Sequence, residues 1–70
     1  MKGGELVKRI RRLGAERGVA VTDRTGKGSH TVLYYGAVRA TVPDLRRDLK
    51  IGTLHAILRQ LGLAPKEIGL

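Results

Sequence analysis

The chain has 70 residues, which leaves room for one domain (residues 1–70) and for no deep substrate cavity, so a ligand must bind on an open surface. The absence of cysteine excludes disulfides and thiolate metal sites, and two histidines with six acidic residues argue against a structural metal, so we expect no metal and no cofactor. The net charge of +8 predicts attraction to a polyanion, which could be RNA, DNA, an anionic membrane or an acidic protein.

The first predicted element is an amphipathic helix over Glu5–Arg17. Its apolar residues recur at the spacing of one helical face, namely Leu6, Ile10 and Leu13. Gly18 is suited to ending this helix. Three arginines lie largely outside the apolar face, namely Arg9, Arg11 and Arg12. Such a cluster is most often a solvated helix face, although at this net charge it also fits a contact with RNA or with a protein partner.

Three short β-prone runs follow, over Val19–Asp23, His30–Tyr35 and Val38–Val42. The glycine-containing segment 24–29 is predicted to be a loop between the first two strands, and a two-residue turn joins the second and third. Pro43 ends the third strand because proline has no backbone N–H to donate. Connections this short indicate an antiparallel meander.

Residues 44–50 are highly charged and are predicted to be irregular, with Leu45 and Leu49 tucked under the fold. The second helix is expected over Ile51–Leu61 from its apolar spacing, and Pro65 is suited to opening a short terminal turn. The element order is therefore α-β-β-β-α. It predicts an α+β fold in which a three-stranded antiparallel sheet carries both helices on one face and leaves the other face open to solvent.

The sequence contains no sign of membrane association or export. No apolar run approaches the roughly 20 residues that a membrane span needs. Met1–Gly4 is not followed by the apolar stretch of a signal peptide. We therefore expect a protein of the cytoplasm that does not bind membranes.

Alternation along the second strand predicts which side chains meet the solvent. His30 and Tyr34 share one face of the strand, whereas Leu33 and Tyr35 share the other. Leu33 and Tyr35 make the better core pair, and the opposite arrangement would bury His30 without an evident partner. The neighbouring strands are expected to add the core residues Val19, Val21, Val38, Ala40 and Val42. We therefore expect His30 and Tyr34 on the open face, beside the loop Gly26-Lys27-Gly28.

Three segments together carry a family resemblance. They are Gly26–His30 with the residues Gly-Lys-Gly-Ser-His, the strand exit Thr41–Pro43, and the helical segment Gly52–Leu63. Each motif is weak alone, but their order and spacing within 70 basic residues make the match specific. The chain resembles the HicA toxins, small endoribonucleases of bacterial and archaeal type II toxin–antitoxin pairs, from its first helix to Leu63.

The resemblance implies a fold like the double-stranded-RNA-binding domain, which agrees with the predicted element order. It also implies that His30 is the catalytic residue of an mRNA-cleaving enzyme, and that a cognate antitoxin of the HicB type covers the active face. Many relatives carry a second histidine shortly after the strand-exit proline, where this chain has Asp44-Leu45-Arg46-Arg47. Any role that this second histidine has in those relatives is therefore not assigned to a residue of this chain.

The chemistry of RNA cleavage suits these residues. RNA supplies its own nucleophile, the 2′-hydroxyl, and an imidazole that exchanges protons near neutral pH can act as general base, typically accelerating the reaction ~10²–10⁴-fold. His30 is the candidate base, and no metal is needed for that step. Lys27, with Gly28 and Ser29 of the same loop, is expected to bind the RNA phosphate. Tyr34 is suited equally to stacking on a base and to packing across the strands.

Each of these residues also has a plainer interpretation. His30 could be a solvated residue at the start of a strand, and the glycine-containing loop a simple hairpin connection. His55 lies off the apolar stripe of the second helix and is interpreted as an exposed helical residue. Two further functions fit the sequence: a non-catalytic module that binds double-stranded RNA, and a small adaptor whose basic surface docks an acidic protein. Cleavage of RNA would distinguish the toxin from both.

Overall fold

The computed structural model describes residues 1–26 and 28–70, and it confirms the predicted α+β class with its order of helix, three antiparallel strands and helix. The elements are α1 (Gly3–Arg17), β1 (Val21–Thr25), β2 (Thr31–Tyr35), β3 (Val38–Val42) and α2 (Ile51–Gln60), followed by a 3₁₀ turn (Pro65–Ile68).

The boundary between α1 and β1 differs from the prediction. Gly18 caps α1 after Arg17, and the backbone N–H of Val19 donates to the carbonyl of Gly14 at 2.8 Å. Because Val19 completes the end of the helix, it does not join the sheet. β1 therefore begins at Val21 and runs on to Thr25, two residues later at each end than the apolar pattern indicates.

The sheet has the strand order β1-β2-β3 with both pairs antiparallel. Thr31 of β2 pairs with Thr25 of β1 and with Val42 of β3, while Tyr35 at the other end of β2 pairs with Val21 and Val38. β2 is consequently the middle strand, and every one of its residues has a neighbour on both sides.

The core lies between one sheet face and the two helices. Fully buried residues come from the middle of β2, the end of β3 and the apolar stripe of each helix, namely Leu6, Ile10, Leu33, Val42 and Leu58. Leu45 and Leu49 pack against this core as predicted. Val38, which the alternation predicts to be a core residue, is 41% exposed, because it lies at the turn end of the edge strand.

Two irregular segments are bound to α1. Residues 44–50 have no helix or strand, but the N–H of Gly4 donates to Leu45 at 2.9 Å and that of Leu49 donates to Met1 at 2.8 Å. The 3₁₀ turn is held by the Arg9 guanidinium, which donates to the carbonyl of Ile68 at 2.9 Å. Both segments therefore pack on the helix side of the sheet.

Among the helices that the structure describes, none combines the length and the apolar character that crossing a bilayer requires.

Candidate nucleic-acid interface

The sheet face opposite the helices carries the outward-pointing residues of the three strands, and we call it the open face. Its residues are Thr22, Arg24, Val32, Tyr34, Arg39 and Thr41. The alternate positions on β2 and β3 point the other way, and those at the centre of the sheet are buried, Leu33 at 0% and Ala40 at 3% exposure. The four open-face positions on the two edge strands are exposed, and the two on β2 are half-buried between their neighbours. No helix packs over this surface in the described residues.

His30 immediately precedes β2 and is exposed. The next residue, Thr31, is 2% exposed and points into the core, so alternation directs the His30 side chain toward the open face. The N–H of Gly26 donates to the carbonyl of His30 at 2.8 Å, which closes the loop between β1 and β2. The backbone of His30 is thus fixed by a hydrogen bond while its imidazole is presented to solvent.

The loop residues predicted to bind phosphate are placed differently from His30. Lys27 lies outside the described residues. Gly28 adopts a positive φ of 67°, a conformation that favours glycine, and both Gly28 and Ser29 are exposed. These two residues line a shallow cavity of about 380 Å³ whose other walls are Thr25, Thr31, Asp44, Leu45 and Arg46. This cavity opens beside the inward positions of the sheet rather than on the open face.

Tyr34 lies on the open face and is half-buried. Its cross-strand partners are Thr22 on β1 and Arg39 on β3. Tyr34 lies four positions after His30, which corresponds to ~13 Å along a strand. At this spacing the two side chains are too far apart to touch the same phosphate.

Sequence reasoning missed the two arginines of the open face. Arg39 could have been found, because Ala40 and Val42 point inward and the alternation of β3 then turns Arg39 outward. Arg24 could not, because the apolar pattern places it in the loop. Only the pairing of Arg24 with Val32 brings it to this surface.

The arginines of α1 mostly bind within the molecule. Arg9 makes an ion pair with Glu5 at 3.0 Å, and the pKa of Glu5 is lowered by that hydrogen bond and by the charge of Arg9. Arg11 makes an ion pair with Asp23 of β1. Two of the three residues in the cluster Arg9, Arg11 and Arg12 thus have a role in holding the fold together.

A third ion pair ties the end of α1 to the 3₁₀ turn. Arg17 contacts Glu67 at 2.8 Å, and this bond, with a further contribution from Tyr35, raises the pKa of Arg17. The pKa of Glu67 is lowered, first by the backbone N–H of Ala64 and then by Arg17. The helix side of the molecule therefore has a network of paired charges.

The second histidine is not part of the open face. His55 is exposed on α2, which packs against the inward side of β3, beside Arg59 and Pro65. Within the part of the chain that the structure describes, no three His, Asp or Glu side chains come together as a possible metal site.

Comparison with known proteins agrees with the resemblance seen in the sequence. Residues 3–63 match the family described as "HicA toxin of bacterial toxin-antitoxin". No curated protein and no solved structure matches the chain. The family match extends from the first residue of α1 to beyond the end of α2, and so includes the whole sheet and the His30 loop. The chain therefore belongs to the HicA toxin family of bacterial toxin–antitoxin systems.

Proposed function

We propose that this protein is an endoribonuclease that cleaves mRNA without a metal ion, that His30 is its catalytic base, and that a HicB-type antitoxin neutralises it. The family identifies a toxin of a toxin–antitoxin pair. The net charge of +8 favours a polyanionic substrate over a small neutral one. A flat, uncovered sheet face suits a long polymer, which needs no enclosing cavity.

The observation that carries the proposal is the exposure of His30 at the end of the open face. A general base must come within hydrogen-bond reach of the proton that it removes. An imidazole at the rim of an uncovered sheet, on a backbone fixed by the bond from Gly26, is accessible to an extended RNA strand. A histidine packed under the helices could not meet this requirement.

The reaction uses the 2′-hydroxyl of the RNA itself. His30 takes the proton of that hydroxyl, the 2′-oxygen forms a bond to the adjacent phosphorus, and the bond from phosphorus to the 5′-oxygen breaks. The 5′-oxygen takes a proton from water or from a lysine, so the products are a 2′,3′-cyclic phosphate and a 5′-hydroxyl. DNA lacks the attacking group and is not cleaved by this route.

The remaining substrate contacts come from the loop and from the centre of the sheet. We assign to Lys27, Gly28 and Ser29 the binding of the scissile phosphate, because backbone N–H groups near glycine allow close approach of an anion. Tyr34 stacks on a base some distance along the strand. Gly28 and Ser29 are exposed and directly precede His30 in the chain, which supports an approach of their backbone to a phosphate at the imidazole, although the cavity that they line opens beside the inward positions.

Cleavage of a defined oligoribonucleotide tests the catalytic assignment. We expect the unchanged protein to cut the RNA in the presence of EDTA, and His30→Ala to be at least ~100-fold slower. The matched control is His55→Ala, which removes the other histidine and should leave the rate unchanged. A 2′-deoxy substitution at the cleaved nucleotide should prevent cutting at that position. If His30→Ala cuts as well as the unchanged protein, or if RNA is bound for hours without cleavage, the assignment is wrong.

The antitoxin is tested separately. We expect a HicB-type protein encoded beside this chain, which should co-purify with it and stop cleavage at equimolar concentration. A partner that binds but leaves the rate unchanged would contradict neutralisation through the active face.

A further inference from the structure

The acidic side chains are segregated from the open face. The chain has six Asp and Glu residues, and none of them occupies an open-face position. Five of the six make ion pairs within the described residues, and all five are bound to the N-terminus, α1 or segment 44–50: Glu5, Asp23, Asp44, Asp48 and Glu67. Asp23 belongs to β1, but it lies at an inward-pointing position and contacts Arg11. The positive charge of the open face is therefore not neutralised by neighbouring carboxylates.

Two arginines supply that positive charge. Arg24 and Arg39 are exposed and make no ion pair with any residue in 1–26 or 28–70. Arg39 lies directly across from Tyr34 in the β2–β3 register. Arg24 lies across from Val32. Tyr34 is two positions after Val32 and His30 is two positions before it, so Arg24 is a diagonal neighbour of both positions. Diagonal neighbours on one sheet face are ~7–8 Å apart, within the reach of an arginine side chain.

We propose that the open face is a binding track for single-stranded RNA, in which Arg24 and Arg39 bind phosphates on either side of a base stacked on Tyr34. The proposal rests on the proposed function for its choice of RNA, and it adds the form of the substrate and two residues that determine binding. The track leads along β2 toward His30, so that Arg24 holds a phosphate between the base on Tyr34 and the scissile phosphate at the imidazole.

The geometry favours a single strand over a duplex. Three strands span ~10 Å, which matches one extended polynucleotide strand and not the width of a double helix. An aromatic ring can stack only on a base that is not already stacked inside a duplex, and sheets that bind single strands combine such rings with basic residues that follow the backbone. Tyr34 between Arg24 and Arg39 is this combination.

The geometry also disfavours an acidic protein as the occupant. Protein interfaces depend on apolar or aromatic anchors that become fully desolvated. The open face offers only Val32 and Tyr34, both half-buried by their own neighbours. Its remaining residues are threonines and arginines.

Binding is measured on His30→Ala, so that cleavage does not interfere. A fluorescent, unstructured 12-nucleotide RNA is compared with the corresponding duplex by anisotropy over a series of salt concentrations. We expect the single strand to bind at least 10-fold more tightly than the duplex. Arg24→Gln and Arg39→Gln, each added to His30→Ala, should each lower the slope of log K against log salt by ~0.7, the value for one phosphate contact on a single strand.

Matched variants separate the track from general charge. Arg59→Gln removes an equal charge from α2 on the helix side and should leave the salt slope unchanged. Tyr34→Ala should weaken binding roughly 5- to 150-fold, the effect of losing one stacked base. Tyr34→Phe keeps the ring and should bind within about 3-fold of the parent. Thermal denaturation of each variant identifies any loss of binding that results from unfolding.

Several outcomes would overturn the proposal. Three of them would indicate a non-selective basic surface. They are equal affinity for the duplex, a slope change in Arg59→Gln as large as in Arg24→Gln, and displacement of the RNA by polyglutamate of equal charge. The cleavage assay distinguishes this result from failure of the proposed function. Specific binding on the track without cleavage by the unchanged protein would overturn the nuclease and leave the track standing. Cleavage unaffected by Arg24→Gln and Arg39→Gln would overturn the track alone.

Discussion

Helix α1 packs against β1 so closely at Gly14 that a methyl group has no room. A Cβ atom on Gly14 would overlap Cγ2 of Val21 and would lie 2.7 Å from the carbonyl oxygen of Val19. Neither neighbour can move freely, because Val21 is paired with Tyr35 in the sheet and Val19 is hydrogen-bonded to the end of the helix. Overpacking typically costs about 1–3 kcal/mol, whereas alanine gains about 0.5–1 kcal/mol over glycine inside a helix. Gly14→Ala should therefore lower the free energy of unfolding by about 1–2 kcal/mol.

Thermal unfolding followed by circular dichroism measures this effect. For a domain of this size each kcal/mol corresponds to roughly 4–8 °C, so the Tm of Gly14→Ala should fall by roughly 4–16 °C. Gly52→Ala is the matched control, because a Cβ there meets no atom within 4 Å and the residue lies inside α2. It should raise the Tm by a few degrees. Equal stability of Gly14→Ala and the unchanged protein, or an equal loss in Gly52→Ala, would refute the packing argument.

Three further predictions concern acid stability, the core and the candidate base. The pKa of Glu67 is lowered in the folded state. The stabilisation that ionised Glu67 gives the fold is therefore present above pH ~4.3, the usual pKa of a glutamate, and is lost as the pH falls through the folded pKa. Between pH 6 and 3 the urea midpoint should fall less in Glu67→Gln than in the unchanged protein. Leu33 is 0% exposed in the middle strand, so Leu33→Ala should lower the free energy of unfolding, measured by urea denaturation, by ~2–5 kcal/mol. Val38 lies at the exposed end of β3, and a larger loss in Val38→Ala than in Leu33→Ala would contradict the placement of the core. His30 is exposed, so His30→Ala should have a free energy of unfolding within about 0.5 kcal/mol of the unchanged protein while it loses cleavage activity. If the variant loses its fold together with its activity, the catalytic role is not supported.

The pattern of apolar residues predicts most of the fold because each element buries one face. Alternation places β3 at Val38–Val42, and the structure has the same bounds. The start of β1 is not predictable from the same signal. Val19 is as apolar as a strand residue, but its N–H is used to complete the end of α1. Whether Val19 ends the helix or starts the strand depends on its backbone hydrogen bond, which the pattern of apolar residues does not predict.

The same alternation of apolar residues predicts part of the candidate site. Leu33 is the better core residue, so alternation along β2 sends His30 and Tyr34 to the open face; the structure has Tyr34 on that face and His30 exposed immediately before the strand. The composition of that face depends on register, which joins residues far apart in the chain. Arg24 reaches it only because β1 extends to Thr25 and pairs along the full length of β2. The sequence therefore identifies the candidate base but not its charged surroundings.

The segregation of carboxylates leaves the open face with positive charge that no neighbouring acidic group offsets. Such a patch attracts a polyanion, and this attraction makes the association rate fall with added salt. The ion pairs of α1 thus do more than join a helix to a strand: they hold Glu5, Asp23 and Glu67 away from the surface that meets the polymer.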